Sequence, residues 1–316
     1  MVPPRRPCLV AEPFAKTERR IRYGLVPPSH GTTLWFLALA PVSVRPKKGL
    51  GQHFLTDEAT IHRIVEAVAA PPDGRVVEIG PGEGALTGDL LQRYPGLVAL
   101  EVDDEAIAHL RRRFPALDVR KGDVLEVHWA ALAGEAGNDG RPAATEERAG
   151  LTVVGNLPYY ITSPILFGLL DARQHVARAV VMVQREVADR LVAPPGSKTY
   201  GTLSVYFSLY ARAEKILDVS RLCFRPPPAV ESAVVVLDFA SAEAPDVPFG
   251  VLQKTVRAAF GQRRKMLRNS LGPLAREAGV DLPDWAATLR PEAVSPTAFV
   301  RLARYLGGLD AAPPGP

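Results

Sequence analysis

Asn156, Leu157, Pro158 and Tyr159 close the β-branched run LTVVGN, so this tetrapeptide stands where a strand ends. These residue types in this order suit one demanding reaction. The exocyclic amine of adenine is a poor nucleophile because its lone pair is delocalised into the ring. To react, its two hydrogens must be drawn toward acceptors that make the nitrogen pyramidal yet are too weakly basic to compete for the electrophile. A side-chain amide oxygen from Asn156 and a backbone carbonyl from Leu157 meet both conditions, and Pro158 fixes the backbone that presents them. Tyr159 adds a stacking face, worth roughly 1–3 kcal/mol per base. A plain turn is the bland account, since Asn and Pro are common turn formers and Tyr also fills cores. The strand end and a second motif upstream favour chemistry.

That second motif is VVEIGPGEGALT, in which Gly80, Gly82 and Gly84 follow one strand and precede a helix. Glycine lets a ligand approach the backbone, and a helix start points free N–H groups at it. Glu101 stands 21 residues after Gly80, at the end of the next strand, where a carboxylate accepts both hydroxyls of a ribose. Together they indicate an adenosine-containing cofactor; the GxGxG spacing leans toward S-adenosylmethionine over a dinucleotide. Asp123, in the KGDV turn, is placed to take the adenine amino group, unless it merely caps that turn.

A third feature is charge. The chain of 316 residues has net charge +4, with 38 Lys and Arg against 34 Asp and Glu. Counted by segment, residues 1–45 carry +5 and residues 46–246 carry −6, whereas 247–276 hold seven basic residues and no acidic one. A charge run is usually a solvated helix face, but such faces normally mix signs. A segment without acids in an acidic body reads better as a phosphate-contacting surface. Its residues are Lys254, Arg257, Arg263, Arg264, Lys265, Arg268 and Arg276, and Lys47 and Lys48 extend the footprint beside the cleft.

Composition excludes several classes. Cys8 and Cys223 lie too far apart for a disulfide framework and suit a reducing, cytoplasmic compartment. The His residues show no HxxxH or HExxH spacing, so no metal is expected. The longest strongly apolar run, Leu34 to Val42, is well short of the roughly 20 residues a membrane helix needs. With Ala38 and Ala40 behind Arg19, Arg20 and Arg22 it faintly resembles a secretory leader, interrupted by Pro41.

The elements that must position these residues follow from periodicity. Residues 1–45, proline-rich and without apolar periodicity, read as a disordered arm or a translated stretch upstream of the true start, and are set outside the fold. From Thr56 or Asp57 as N-cap, Ile61, Ile64, Val65 and Val68 follow helical spacing up to Pro71 and Pro72. RVVEI, LVALEV, a run around Val119, LTVVGN, AVVMVQ, KILDV and SAVVVLDF make seven strands alternating with helices, which implies a mostly parallel α/β sheet. Ser163-Pro164 reads as a helix start, 131–150 as a surface insertion, and 247–276 as helical with a break near Gly261. Strand signals stop after Phe239, which puts a domain boundary near 240 and a helical unit over 241–316, with a helix start at Ser295-Pro296.

The stretches KKGLGQHFL, VEIGPGEGALT, GNLPYYI, VQREVADRLVAPPGSKTYGTLSV, FRPPPAVESAVV and FGQRRKMLRNSL, in this order between about Pro46 and Gly307, resemble the KsgA/RsmA family of bacterial small-subunit rRNA adenine dimethyltransferases. The resemblance implies a Rossmann-like class I S-adenosylmethionine-dependent methyltransferase domain over 46–240 and a small all-helical RNA-binding domain over 241–316. It implies dimethylation of two adjacent adenines near the 3′ end of 16S rRNA, within the small ribosomal subunit or its precursor, by a monomer with no membrane partner. Carried over by motif, His53, Leu55, Gly80, Gly82, Glu101, Asp123 and Asn156 contact the donor. Asn156, Leu157 and Tyr159 hold the substrate, with Phe224 of FRPPP as a second stacking face. His53 stands where many members have Asn. Three rivals stay open: a large-subunit rRNA methyltransferase of the antibiotic-resistance class, disfavoured by the NLPY spelling and FGQRRKMLRNSL; a non-catalytic ribosome assembly factor; and a nicotinamide oxidoreductase, for which no hydride-transfer constellation is visible.

Overall fold

The computed structural model describes residues 44–71, 74–134 and 150–315. The N-terminal arm before Val44 and residues 135–149 of the insertion lie outside them. The strands are β1 (Phe54–Leu55), β2 (Val76–Ile79), β3 (Val98–Glu101), β4 (Asp118–Lys121), β5 (Leu151–Asn156), β6 (Val176–Gln184), β7 (Arg212–Val219), β8 (Phe224–Arg225) and β9 (Ser232–Asp238). Between them run α1 (Glu58–Val68), α2 (Thr87–Arg93), α3 (Asp104–Arg113), α4 (Trp129–Gly134), α5 (Thr162–Asp171), α6 (Arg185–Leu191) and α7 (Thr202–Tyr210). The C-terminal helices are α8 (Phe249–Gly261), α9 (Leu267–Ser270), α10 (Gly272–Ala278), α11 (Asp284–Ala287) and α12 (Pro296–Leu306).

All seven strands read from the sequence form one sheet in the order β4-β3-β2-β5-β6-β9-β7. β4, β3, β2, β5 and β6 run parallel, and β9 is antiparallel to both its neighbours. The chain winds outward from β2 to β4, then returns to the other side of β2 with β5. This reversal opens a crevice at the carboxyl ends of β2 and β5, where open α/β sheets place ligands. A separate two-stranded pairing, β1 with β8, was not legible in the sequence.

Local chemistry explains most boundaries. Asp57 caps α1, its carboxylate accepting from the Thr60 amide, and Ile64, Val65 and Val68 are buried. The helix stops at Ala69, in a left-handed conformation, before Pro71 is reached. Ser295 caps α12, as the sequence indicates, and Gly307 ends it. Ser163-Pro164 is not the N-cap and first residue of α5: the helix begins two residues earlier, with Ile161 as N-cap and Thr162 first, and the Thr162 hydroxyl donates to the Pro158 carbonyl at 2.9 Å. That bond ties the helix to the tetrapeptide before it. The first residues of the insertion are helical: α4 runs to Gly134 and buries Trp129 and Leu132.

The C-terminal helices do not keep a core of their own. Leu252, Val256, Phe299 and Leu302 belong to the same buried cluster as Tyr206, Phe207 and the sheet residues Val181 and Val235. Phe249 packs its ring against Tyr206 and Tyr210, at centroid distances of 5.7 and 5.5 Å. The basic segment is thereby fixed to α7 through apolar burial. At the other end, Val44 is 2% exposed and clusters with Phe54 and Ala106, so the fold begins before residue 46.

Candidate active site

A cavity of about 320 Å³ opens at the carboxyl edge of the sheet, lined by Gly80, Gly82, Glu101, Asp123, Asn156, Leu157 and Tyr159, and by His53 from the N-terminal segment. Backbone pairing past the strand ends sets its floor: the Gly80 amide donates to the Leu100 carbonyl and the Gly122 amide to the Glu101 carbonyl. Gly80 has open space where a side chain would project. Gly82 (φ 56°) is required for a different reason, because a Cβ there would lie 2.7 Å from the Phe54 ring.

Glu101 is 5% exposed, and its carboxylate is largely committed to the turn. Oε1 accepts from the amides of Val102 and Asp103, and Oε2 from the amide of Gly82 at 3.1 Å. A carboxylate has about four acceptor positions, so one remains at Oε2, enough for one ribose hydroxyl rather than two. Asp123 does cap its turn, one oxygen accepting from the Leu125 amide at 2.9 Å, while facing the cavity. Behind the loop, Glu78 is 1% exposed, and among the described residues its carboxylate has the Thr87 hydroxyl as its one hydrogen-bond partner, at 2.7 Å. Burial pushes its carboxyl up to about 8, against the pull of that hydrogen bond and with a further push from Glu101.

The acceptor wall lies opposite. Asn156 Nδ2 donates to the His53 carbonyl at 2.9 Å, which sets the orientation of the amide and leaves Oδ1 as the atom free to accept. The Leu157 amide is held by the Met182 carbonyl of β6, and the side chain is buried, so the residue meets the cavity through its backbone. Tyr159 is half-buried; its hydroxyl lies 2.6 Å from Ser232 Oγ, and its ring stacks on His53 at 5.9 Å with planes 27° apart. Burial raises the phenol's pKa, with the Ser232 hydrogen bond opposing. His53 Nδ1 donates to the Pro226 carbonyl at 2.8 Å.

Three expected residues sit elsewhere. Leu55 and Phe224 face each other across the β1–β8 pair, both buried in the core and neither lining the cavity. Alternation along a strand is the reason: Phe54 takes the cavity face, so Leu55 and its cross-strand partner Phe224 take the other. Phe224 is therefore no stacking face in this structure. Lys47 is bound to Asp103, which also accepts from Gln52 at 3.1 Å and caps α3. That hydrogen bond raises the Lys47 pKa. Burial pushes Asp103 up, and its bonds from Lys47, Gln52 and the Glu105 amide more than reverse this, leaving its pKa lowered. The side chain of Lys48 lies outside the described residues. Sequence reasoning missed Gln52, Phe54, Leu125, Tyr160 and Ser232. Gln52 stands inside the GQHFL motif and Tyr160 beside the tetrapeptide, whereas Ser232 carries no signal.

In the basic segment, Arg257, Arg264, Lys265 and Arg268 are exposed and enter no ion pair among the described residues. Arg263 is half-buried and donates to the Lys198 carbonyl at 2.6 Å, bracing the loop between α6 and α7. Lys254 pairs with Glu277 at 2.8 Å, an acid just beyond the segment that the fold brings back to it.

Residues 44–292 match the family model described as ribosomal RNA adenine dimethylase. The ribosomal RNA small subunit methyltransferase A of Salinibacter ruber is 46% identical over 267 residues, covering 84% of this chain and 86% of that protein. The protein of the same name from Bordetella bronchiseptica is 44% identical, covering 85% of this chain and 96% of its own length. Among solved structures, a dimethyladenosine transferase from Plasmodium falciparum shares the fold (TM-score 0.62, 22% identity, 81% of this chain and 98% of that one). The 23S rRNA methyltransferase ErmE superposes with TM-score 0.55 at 26% identity, over 80% of this chain and 99% of its own. Among the described residues no helix is long and apolar enough to cross a membrane, and no group of His, Cys, Asp and Glu is arranged to hold a metal.

Proposed function

The chain belongs to the ribosomal RNA adenine dimethylase family, and from that premise we propose that it dimethylates the N6 amines of two adjacent adenines in a loop near the 3′ end of 16S rRNA, with S-adenosylmethionine as donor. The observation that carries this reading is the Asn156 amide, turned by its bond to the His53 carbonyl so that Oδ1 is the free acceptor in the cavity shared with Gly80 and Glu101. The donor supplies an electrophilic methyl group on a sulfonium. The residues present fit it: the open side of Gly80 admits a ligand to the loop backbone, the last acceptor position of Glu101 takes a ribose hydroxyl, and Asp123 takes the adenine amine.

On the acceptor side, Asn156 Oδ1 and the Leu157 carbonyl take the two amine hydrogens while the base rests on Tyr159. Transfer leaves a cationic amine that sheds its proton unaided, so positioning and polarisation do the catalysis. Arg257, Arg264, Lys265 and Arg268 meet rRNA phosphates. Bringing the adenine out of its stack costs a few kcal/mol, less in a loop already unstacked, and stacking on Tyr159 offsets it. The protein acts as a cytoplasmic monomer on the small subunit or its precursor and contributes to its maturation.

The test is incubation of the purified protein and S-adenosylmethionine with small and large subunits from cells lacking the gene, followed by mass spectrometry of each rRNA. Dimethyladenine in the small-subunit rRNA alone is expected. Methylation confined to large-subunit rRNA would favour the ErmE-like reading, and none at all a binding role.

A further inference from the structure

We propose that Ser232 is a positioning residue for the second methyl transfer: it fixes the plane of the Tyr159 ring and, with His53 covering one face of that ring, confines the target adenine to the other. This rests on the reading of Tyr159 as the stacking face. Ser232 opens β9, is 0% exposed and lies in register between Gln184 of β6 and Val219 of β7. From there its hydroxyl meets the Tyr159 hydroxyl at 2.6 Å, reaching the end of β5 across an intervening strand. A phenol on a short turn is free to swing about its side-chain torsions; held at both its Cα and its hydroxyl, it keeps one plane. The second constraint is His53, stacked at 5.9 Å and itself anchored through Nδ1 to the Pro226 carbonyl. Both rings line the cavity, and the Tyr159 face turned away from His53 is the one left for a base to stack on.

The two transfers depend on this plane unequally. Before the first, the amine offers two hydrogens, and Asn156 and Leu157 hold both. After it, one hydrogen is left, so one of the two anchors is gone and the stacked ring must supply the orientation that the missing hydrogen bond gave. Alignment errors near 1 Å cost on the order of 100-fold in rate. A loosened Tyr159 therefore penalises the second transfer more than the first.

The experiment measures single-turnover methylation of small subunits by wild type, Ser232→Ala, Tyr159→Phe and the double variant, with mono- and dimethyladenine quantified separately. Ser232→Ala is expected to slow the first transfer about fivefold and the second about twentyfold or more, so that monomethyladenine accumulates. The dissociation constants for S-adenosylmethionine and for the subunit should stay within about twofold, a split that a general loss of structure does not produce. Tyr159→Phe removes the same bond without touching β9 and should reproduce the product ratio even if Ser232→Ala folds poorly. Because both substitutions delete one interaction, the double variant should be no slower than the slower single. A wild-type product ratio in Tyr159→Phe, or rate losses that multiply in the double variant, overturns the proposal. Tyr159→Ala separates the two levels: if it methylates normally the stacking reading itself fails, whereas if it is inactive and Ser232→Ala is normal only the role of Ser232 falls.

Discussion

The cavity edge and the basic segment handle their polar groups in opposite ways. At the cavity, almost every polar atom already has a partner: Glu101 takes three backbone amides, Asp123 one, and Asn156 spends its amide nitrogen on the His53 carbonyl. Each still presents an acceptor to the void. In the segment between Arg257 and Arg268, four cations stand in solvent without ion partners among the described residues. Preorganised atoms can act on one bond of one substrate, whereas free cations follow any phosphate backbone that comes near. The fold concentrates its precision at the edge of the sheet and leaves the helices adaptable.

The sharpest way to break this contrast is at Asn156. Asn156→Ala removes one polarising acceptor and is expected to lower methylation at least about 100-fold while keeping S-adenosylmethionine binding within about tenfold, read by single-turnover assay and calorimetry. Near-normal turnover would mean that the committed amide is architecture and that polarisation comes from elsewhere.

Legibility in the sequence follows the same division. The seven strands, the Asp57 and Ser295 caps and the glycine loop were readable because each is a local rule: a period, a capping residue, a turn that needs positive φ. The tetrapeptide was readable because its chemistry is carried by adjacent residues. What escaped depends on register between distant segments. The β1–β8 pairing places Leu55 opposite Phe224 and turns both inward, and no periodicity in two-residue strands announces it. Ser232 reaches Tyr159 only because β9 and β5 both flank β6. Charge was legible as composition but not as pairing, since the partners of Lys47 and Lys254 come from other elements.

A second test compares two buried acids behind the same loop. Glu101 has three backbone donors, while Glu78 has one hydroxyl and a carboxyl pushed by burial up to about 8. Because the folded value lies above the unfolded one, the folded state keeps a proton that the unfolded chain releases. The stability from Glu78 is complete below pH ~4.5 and is lost as pH rises toward 8. Glu78→Gln deletes that dependence. In urea unfolding it should match wild type near pH ~4.5 and be more stable at pH ~8.5 by on the order of 3–5 kcal/mol. An equal difference at both pH values would mean that Glu78 is not protonated in the fold.

On the other side of the comparison, Arg264, Lys265 and Arg268 changed together to Ala should lower the salt dependence of small-subunit binding by up to about 2–3 in log–log slope, at ~0.7–0.9 for each phosphate no longer neutralised. Arg263→Ala should change the slope less, because its guanidinium is occupied by the Lys198 carbonyl. A triple variant with the wild-type slope would remove the segment from the RNA surface.

The smallest expected effect on RNA binding is at Lys47, which composition groups with the basic footprint and geometry groups with the cavity edge. Its ammonium is bound to Asp103, a carboxylate 3% exposed that also receives Gln52 and the Glu105 amide. Breaking that cluster loosens the segment carrying Gln52 and His53 over the cavity mouth, and removes no cation that was free for phosphate. Lys47→Ala should therefore change the salt slope by less than the ~0.7–0.9 of one neutralised phosphate, while lowering the urea midpoint and weakening S-adenosylmethionine binding. A slope reduced by that full amount with an unchanged midpoint would place Lys47 with the free cations, and the line between committed and adaptable charge would have to be redrawn through the N-terminal segment.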